Sequence, residues 1–257
     1  RAFYAIRNLS NSRGEPINAV YGFTSQLLKL LDEESPDYIA VCFDKSEITF
    51  RNTLYPDYKA HRPPPPDDLV PQFPLVREVT RAFDIPSLEL DNYEADDLIG
   101  TLSRMAEEHD VDTIIVSSDK DLMQLVGPTT VMYDTMRNIR YGRDEVHEKT
   151  GVWPEQIIDW LALMGDSSDN IPGVKGIGKK TAATLLAQHG DLDGVYAALT
   201  TFKGKRRENL EHDRDQAYLS QKLATIACDV PLGITLEDLV RREPNKPQLA
   251  ELFGRLE

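Results

Sequence analysis

The chain has 257 residues, 28% of them charged and 40% hydrophobic, with a formal net charge of −14 and only two cysteines. That length can bury a sizeable core, either in one composite domain or in a domain with a smaller appendage. No apolar run approaches 18 residues and no secretory apolar segment is present, which excludes a membrane-spanning helix. Cys42 and Cys228 stand too far apart to form a metal or redox motif, so a reducing, cytoplasmic setting is expected. The acidic balance does not exclude nucleic acid as a partner, because net charge is silent about where charges lie.

In chain order, residues 16–31 set Val20, Phe23, Leu27, Leu28 and Leu31 at helical spacing. Residues 38–43 form an apolar run that ends at Asp44, as a buried strand with a carboxylate at its C-terminal end would. Residues 45–70 break the pattern, being basic and aromatic and then carrying Pro63-Pro64-Pro65-Pro66, and a helix is expected at about 71–84. A further helix opens at Tyr93, with Leu98, Ile99, Leu102, Met105 and Ala106 on one face and Glu94 and Asp97 in its first turn, where the helix dipole favours anions. Residues 113–117 read as a second buried strand and residues 131–133 as a third. From about residue 150 the strand signals fade, and residues 153–164, 179–189 and 214–228 read as helices, with Trp153 and Trp160 in a helix core. Strands alternating with helices imply a mostly parallel sheet, whose ligands bind at the carboxyl ends of the strands, where Asp44, Asp119 and Asp121 fall.

Three acidic clusters carry the chemistry: Glu94-Ala95-Asp96-Asp97, Asp119-Lys120-Asp121, and Asp166 with Asp169 in a Gly-Asp-Ser-Ser-Asp-Asn string. Each is flanked by apolar sequence, so folding brings like charges to the ends of buried elements, where they repel unless cations neutralise them. Oxygen donors without a His or Cys pair point to Mg²⁺ or Mn²⁺ rather than to zinc or copper. Singly, each cluster could be ordinary helix charge, a cap or an Asx turn. Lys and Arg gather at residues 45–62, 175–180 and 203–207, and Gly173, Gly176 and Gly178 lead directly into a helix with Lys175, Lys179 and Lys180 beside them. Such a turn presents free N–H groups and a helix N-terminus to a phosphate, although it could also be a plain helix-turn-helix corner.

Asp44 with Phe50-Arg51, the Tyr55-to-Arg62 motif with its Tyr58-Lys59 pair, the Glu94-to-Asp97 and Asp119-to-Asp121 clusters, and the run from Gly165 to Gly173 occur in an order and spacing that resembles the 5′ nuclease domains of bacterial DNA polymerase I, in the flap endonuclease family. The resemblance implies an α/β, PIN-like nuclease core over residues 1–150, with a mostly parallel central sheet and a helical arch at about 45–70. It implies a helical DNA-binding subdomain over residues 151–257, with a helix-hairpin-helix-like element of the helix-three-turn-helix type at 171–189. It also implies that Asp44, Glu94, Asp96, Asp97, Asp119, Asp121, Asp166 and Asp169 surround two or more Mg²⁺ or Mn²⁺ ions, Asp97 from behind the ligands. Lys59 and Arg62, with Arg51 nearby, would hold the scissile phosphate, and Tyr58 would stack on a base or pack. Gly173, Lys175, Gly176, Gly178, Lys179 and Lys180 would bind a duplex arm, with K⁺ as a further ion. The activity implied is 5′-3′ exonuclease and 5′-flap endonuclease hydrolysis in replication and repair, by a monomer acting on DNA with a flap, nick or 5′ end. By the same resemblance an apolar strand ending in an Asp-Gly ligand pair is expected ahead of Arg1, and a polymerase domain beyond Glu257. A PIN-type ribonuclease and a non-catalytic binder of branched DNA are the alternatives.

Overall fold

The computed structural model describes residues 2–6 and 9–257. Its contacts divide the chain into two units that each draw on separated stretches of sequence, so the grouping crosses the sequence division at residue 150. One unit comprises Arg1–Phe43, Pro63–Glu89 and Leu232–Glu257, and the other comprises Asp44–Arg62 and Leu90–Pro231.

In the first unit the Asn18–Glu33, Gln72–Ala82 and Lys246–Leu256 helices turn their apolar faces on one another. Leu27, Leu31, Val79, Phe83, Ile85 and Leu252 form the core. No side chain of the Asn18–Glu33 helix caps its own N-terminus. Gln72, fully buried on the facing helix, does so instead: its Oε1 accepts from the Ala19 and Val20 N–H groups at 2.7 and 3.2 Å, while its Nε2 donates to Asn18 Oδ1 and Asp68 O. Two of the first-turn donors that a helix leaves unpaired are thereby satisfied. Strand β1 (Val41–Cys42) pairs in parallel with β2 (Ser87–Leu88). The strand expected over residues 38–43 is thus regular only over Val41 and Cys42.

In the second unit β3 (Thr113–Val116) pairs in parallel with β4 (Thr130–Asp134), which pairs antiparallel with β5 (Ile139–Tyr141). The expected single sheet is therefore two hydrogen-bonded ladders among the described residues, with parallel pairing in both. The Ile157–Met164 helix is apolar almost all round, which is why it runs through the interior. Ile157, Trp160, Leu161, Ala162 and Leu163 are buried, against the Lys179–His189 and Arg214–Ala224 helices. Trp153 precedes that helix instead of joining its core. It is partly exposed and stacks on His147 with ring centroids 4.2 Å apart.

Candidate active site

The acidic clusters meet in the second unit, and three short elements place them. The Ala95–Glu108 helix presents Glu94 at its N-cap and Asp96 and Asp97 in its first turn. β3 runs out through Asp119 to the single turn Asp121–Leu125. The third element is the loop 165–173, closed by a two-way backbone pair between Asp166 and Ile171, each N–H donating to the other's oxygen at 2.8 Å.

Two glycines make that loop possible. Gly165 and Gly173 both have positive φ, and a Cβ built on Gly173 would come within 2.2 Å of the Gly165 nitrogen. No residue with a side chain fits where two backbones approach so closely. The Gly173 N–H is given to Ser220 Oγ at 3.0 Å and its carbonyl accepts from Gln216 Nε2 at 2.6 Å. Gly173 is buried and fully engaged, so it closes the loop and offers no phosphate contact, contrary to the expectation from sequence.

Arg51 also differs from expectation, and Asp97 stands behind the other carboxylates. Both are enclosed, at 2% and 0% exposure. Arg51 Nη1 and Nη2 donate to the two Asp97 carboxylate oxygens at 2.8 and 2.7 Å, Nε donates to Leu223 O, and Nη2 also donates to Thr225 O. Asp97 accepts further from the Glu94 and Ala227 backbone N–H groups, at 3.0 and 2.9 Å. Burial works against the charge on each, but the pairing outweighs it: the Arg51 pKa lies above its ordinary value and the Asp97 pKa below. A bidentate pair with every Asp97 lone-pair direction taken cannot also bind a metal or a phosphate. Its work is to tie the start of the carboxylate helix to the chain at residues 223–227.

The remaining groups are less saturated. Lys59, held at a φ of 56°, places Nζ 2.7 Å from Glu94 Oε1 and 3.7 Å from Asp169 Oδ2, and its N–H donates to Asp169 O. Arg62 Nη2 donates to Asp169 Oδ1 at 2.6 Å. Tyr58 points its hydroxyl between Glu94 Oε2 and Asp169 Oδ2, 3.3 Å from each, and its ring lies in the core, so the stacking of a base on it is ruled out by burial. Burial, then Glu94 and Asp169, holds its pKa well above the ordinary phenol value. Asp44 Oδ1 accepts from the Ala95 N–H at 2.8 Å, which draws this exposed carboxylate to the same helix N-terminus.

Lys120 carries no signal of its own in the sequence, although it sits in the middle of the Asp119-Lys120-Asp121 cluster. Its ammonium bonds Asp166 Oδ2 and lies 3.3 Å from Asp121 Oδ1. That Asp121 oxygen is buried and has no well-directed hydrogen bond. Burial pushes the Asp121 carboxyl up to about 7, with Asp119, Asp166 and Asp169 adding to it and Lys120 opposing. Burial, Asp119 and Glu94 push Asp96 up to about 8, against Lys59. These are carboxylates crowded beyond what their neighbours neutralise.

Among the described residues, no group of three His, Cys, Asp or Glu side chains is placed to hold a metal ion. Glu94, Asp121, Asp166 and Asp169 are instead engaged by Lys59, Arg62 and Lys120. The donor set nonetheless suits a hard divalent cation: it is all oxygen, it is charge-crowded, and it includes Asp121 Oδ1, paired with Lys120 but without a directed hydrogen bond.

The exposed basic turn lies in the same unit. Gly178 is the N-cap of the Lys179–His189 helix, and Lys175, Gly176, Gly178, Lys179 and Lys180 are all exposed. The turn is braced from behind, since Asp213 accepts from the Lys175 N–H at 2.8 Å and Asn209 donates to the Lys175 carbonyl at 2.8 Å. Asn209 belongs to the Gly204–His212 helix, which carries exposed Lys205, Arg206 and Arg207, so two basic tracts far apart in sequence are neighbours.

Residues 1–151 match the family described as 5′-3′ exonuclease, N-terminal resolvase-like domain, and residues 152–247 match 5′-3′ exonuclease, C-terminal SAM fold. The whole chain is 45% identical to part of DNA polymerase I of Caldicellulosiruptor bescii and 47% identical to part of that of Rhizobium leguminosarum, spanning 31% and 26% of those proteins. Among solved structures it is similar to the T5 5′-exonuclease with bound zinc, at a TM-score of 0.71, 22% identity, and 94% and 92% coverage of the two chains. It is also similar to the catalytic core of Rad2 in complex with DNA substrate, at a TM-score of 0.61, 17% identity, and 98% and 82% coverage. These two show the shared fold.

Proposed function

The chain belongs to the 5′-3′ exonuclease family, and we propose that it is a structure-specific 5′ nuclease that hydrolyses DNA phosphodiesters with divalent ions, Mg²⁺ or Mn²⁺. The observation that carries this reading is the convergence of all three acidic clusters on Lys59, Arg62 and Lys120, with an exposed, braced basic turn on the same unit. Asp44, Glu94, Asp96, Asp119, Asp121, Asp166 and Asp169 hold the ions in this proposal. Bound there, the ions supply the charge that makes a water acidic enough to attack and that neutralises the departing 3′ oxygen.

The chain's own residues do the rest. Lys59 and Arg62 now neutralise Glu94 and Asp169; with substrate present they turn their donors to the nonbridging oxygens of the scissile phosphate, where charge grows in the transition state. Arg51 and Asp97 fix the angle at which the carboxylate helix meets them. Gly176, Gly178, Lys175, Lys179 and Lys180 receive the phosphates of a duplex arm through backbone N–H groups and lysine charge, so that the 5′ strand reaches the carboxylates at a set distance from the grip. Residues 1–150 then supply most of the site, and residues 151–257 supply the grip together with Asp166 and Asp169. The partner is DNA with a 5′ flap, a nick or a 5′ end. A polymerase region of the same polypeptide is a second partner on this reading, since the relatives are DNA polymerases I of which the chain spans less than a third.

Cleavage of a 5′-flap DNA and of a matched single-stranded RNA, each with Mg²⁺ and with chelator, tests the proposal. Metal-dependent cutting of the flap near its junction, and little of the RNA, is expected. Preference for the RNA would support a single-strand ribonuclease instead, and metal-independent binding of the flap without cleavage would leave only a DNA-structure binder.

A further inference from the structure

Lys120, like Lys59, sets an ammonium between two carboxylates, and it is the more exposed of the two lysines, at 30% against 21%. Its backbone is fixed, because its carbonyl accepts from the Met123 N–H at 3.1 Å and opens the Asp121–Leu125 turn. Its side chain is not locked: it is 30% exposed and reaches its two carboxylates by a flexible four-carbon stem, whereas the Asp166 and Asp121 side chains at its tip are 6% and 14% exposed. Arg51, by contrast, is enclosed with four bonded donor contacts. An ammonium is a compact point charge that leaves such a position readily, and a forked guanidinium is not. The fit at Asp121 is poor as well, since Oδ1 lies 3.3 Å from the ammonium and still lacks a directed hydrogen bond. Lys120 therefore supplies charge there without supplying geometry. A divalent oxygen-seeking ion would supply both.

We propose that Lys120 is a built-in counter-ion, a positioning residue that occupies the place between Asp121 and Asp166 which a divalent ion takes, so that the ion must displace its ammonium and the lysine sets the ion affinity of the site. Without an ion, the ammonium keeps Asp121 and Asp166 from repelling one another apart. With an ion bound, the stem carries the charge out to solvent. The inference rests on the proposed carboxylate site and gives it a property beyond hydrolysis: the site is held assembled, but at reduced affinity, until ion and substrate arrive together.

Calcium titration by calorimetry, without DNA and at fixed ionic strength, tests this on the whole chain. Lys120→Met removes the competing charge and should tighten Ca²⁺ binding about tenfold, given the strength of a unit charge a few ångström away in a partly buried site. Lys120→Arg, which keeps the charge, should stay near the unmodified affinity or fall below it. Thermal unfolding adds an independent readout: Lys120→Met should melt lower than the unmodified protein without Ca²⁺ and gain more from it. If Lys120→Met does not fold, amine labelling of the unmodified protein replaces it, and Ca²⁺ should raise the labelling of Lys120 relative to that of Lys175. Unchanged or weaker Ca²⁺ affinity in a folded Lys120→Met, or unchanged labelling, overturns the inference. Asp121→Asn separates the two levels: loss of Ca²⁺ binding there with no change in Lys120→Met sinks the role of Lys120 alone, and unchanged Ca²⁺ binding in Asp121→Asn sinks the proposed ion site beneath it.

Discussion

The Arg51–Asp97 pair and the Lys59, Arg62 and Lys120 group use the same chemistry, cation against carboxylate, and they do opposite things with it. In the first, every acceptor of Asp97 is filled and the guanidinium is shut away from water. In the second, one or two contacts at each tip hold long side chains that retain a route to solvent, near carboxyls pushed up to about 7 and about 8. A charge whose bonding is complete is part of the scaffold. A charge whose bonding is incomplete is available to a ligand.

The contrast is most exposed to refutation at the sealed pair. Arg51→Met leaves Asp97 buried without its cation, and unfolding in urea should show a loss of about 3–5 kcal/mol. A variant as stable as the unmodified chain would mean that water reaches Asp97 and that the pair is not sealed. At the open group the balance should reverse. Asp121→Asn and Lys59→Met should lower the urea midpoint little and reduce single-turnover cleavage of a flap by roughly 100-fold each, the usual scale for one electrostatic contact to developing charge. Flap binding should persist in both.

Titration draws the same line between the two regions. Asp96 and Asp121 have folded pKa values raised above the unfolded value of about 3.9, so the folded state binds more protons than the unfolded one between about pH 4 and 8. Stability of the ion-free protein should therefore fall as pH rises through that window, and saturating Mg²⁺ should flatten the slope. Asp97, with its folded pKa lowered, runs the other way: its contribution is present above about pH 3.9 and is lost only as pH falls through its lower folded value. Urea melts at pH 5 and pH 8, with and without Mg²⁺, check the first sign, and melts at pH 4 and below check the second. The smallest effect is expected at the basic turn. Lys175→Ala with Lys179→Ala should reduce the slope of log affinity for duplex against log salt by about 0.9 for each phosphate no longer neutralised, with single-turnover cleavage at saturating enzyme little changed.

Saturation is the property that sequence does not display, and it separates the residues that sequence reads well from those it misleads on. Glu94, Asp96, Asp119, Asp121, Asp166 and Asp169 stand out because acidic clusters inside apolar sequence are conspicuous. Asp97 stands among them by the same criterion, yet Ala227, which donates to it, lies 130 residues away, and no pattern in the chain links the two. Gly173 resembles a phosphate cradle because Gly-rich turns before helices serve that end, whereas its actual constraint is the backbone of Gly165. Lys120 is easily overlooked because a lysine between two aspartates reads as local charge balance. In the fold, amphipathic helices such as Lys179–His189 are legible from their spacing. The Arg143–Thr150 and Gly204–His212 helices are not, since each buries a single residue, Val146 or Leu210, and so has no apolar stripe to read.

The closed loop has a mechanical consequence. Just beyond Gly173, Val174 donates its N–H to Leu163 O, and Lys175 is pinned to Asp213 and Asn209. On the other side of the Gly165 contact stand Asp166 and Asp169. The turn proposed to grip the duplex and the carboxylates proposed to cut the strand are therefore two ends of one short, stiff lever with its fulcrum at the two glycines. On the proposed reading, a pull on the duplex arm would pass along this path to Asp166 and Asp169, so that seating the substrate and assembling the reacting end would be coupled.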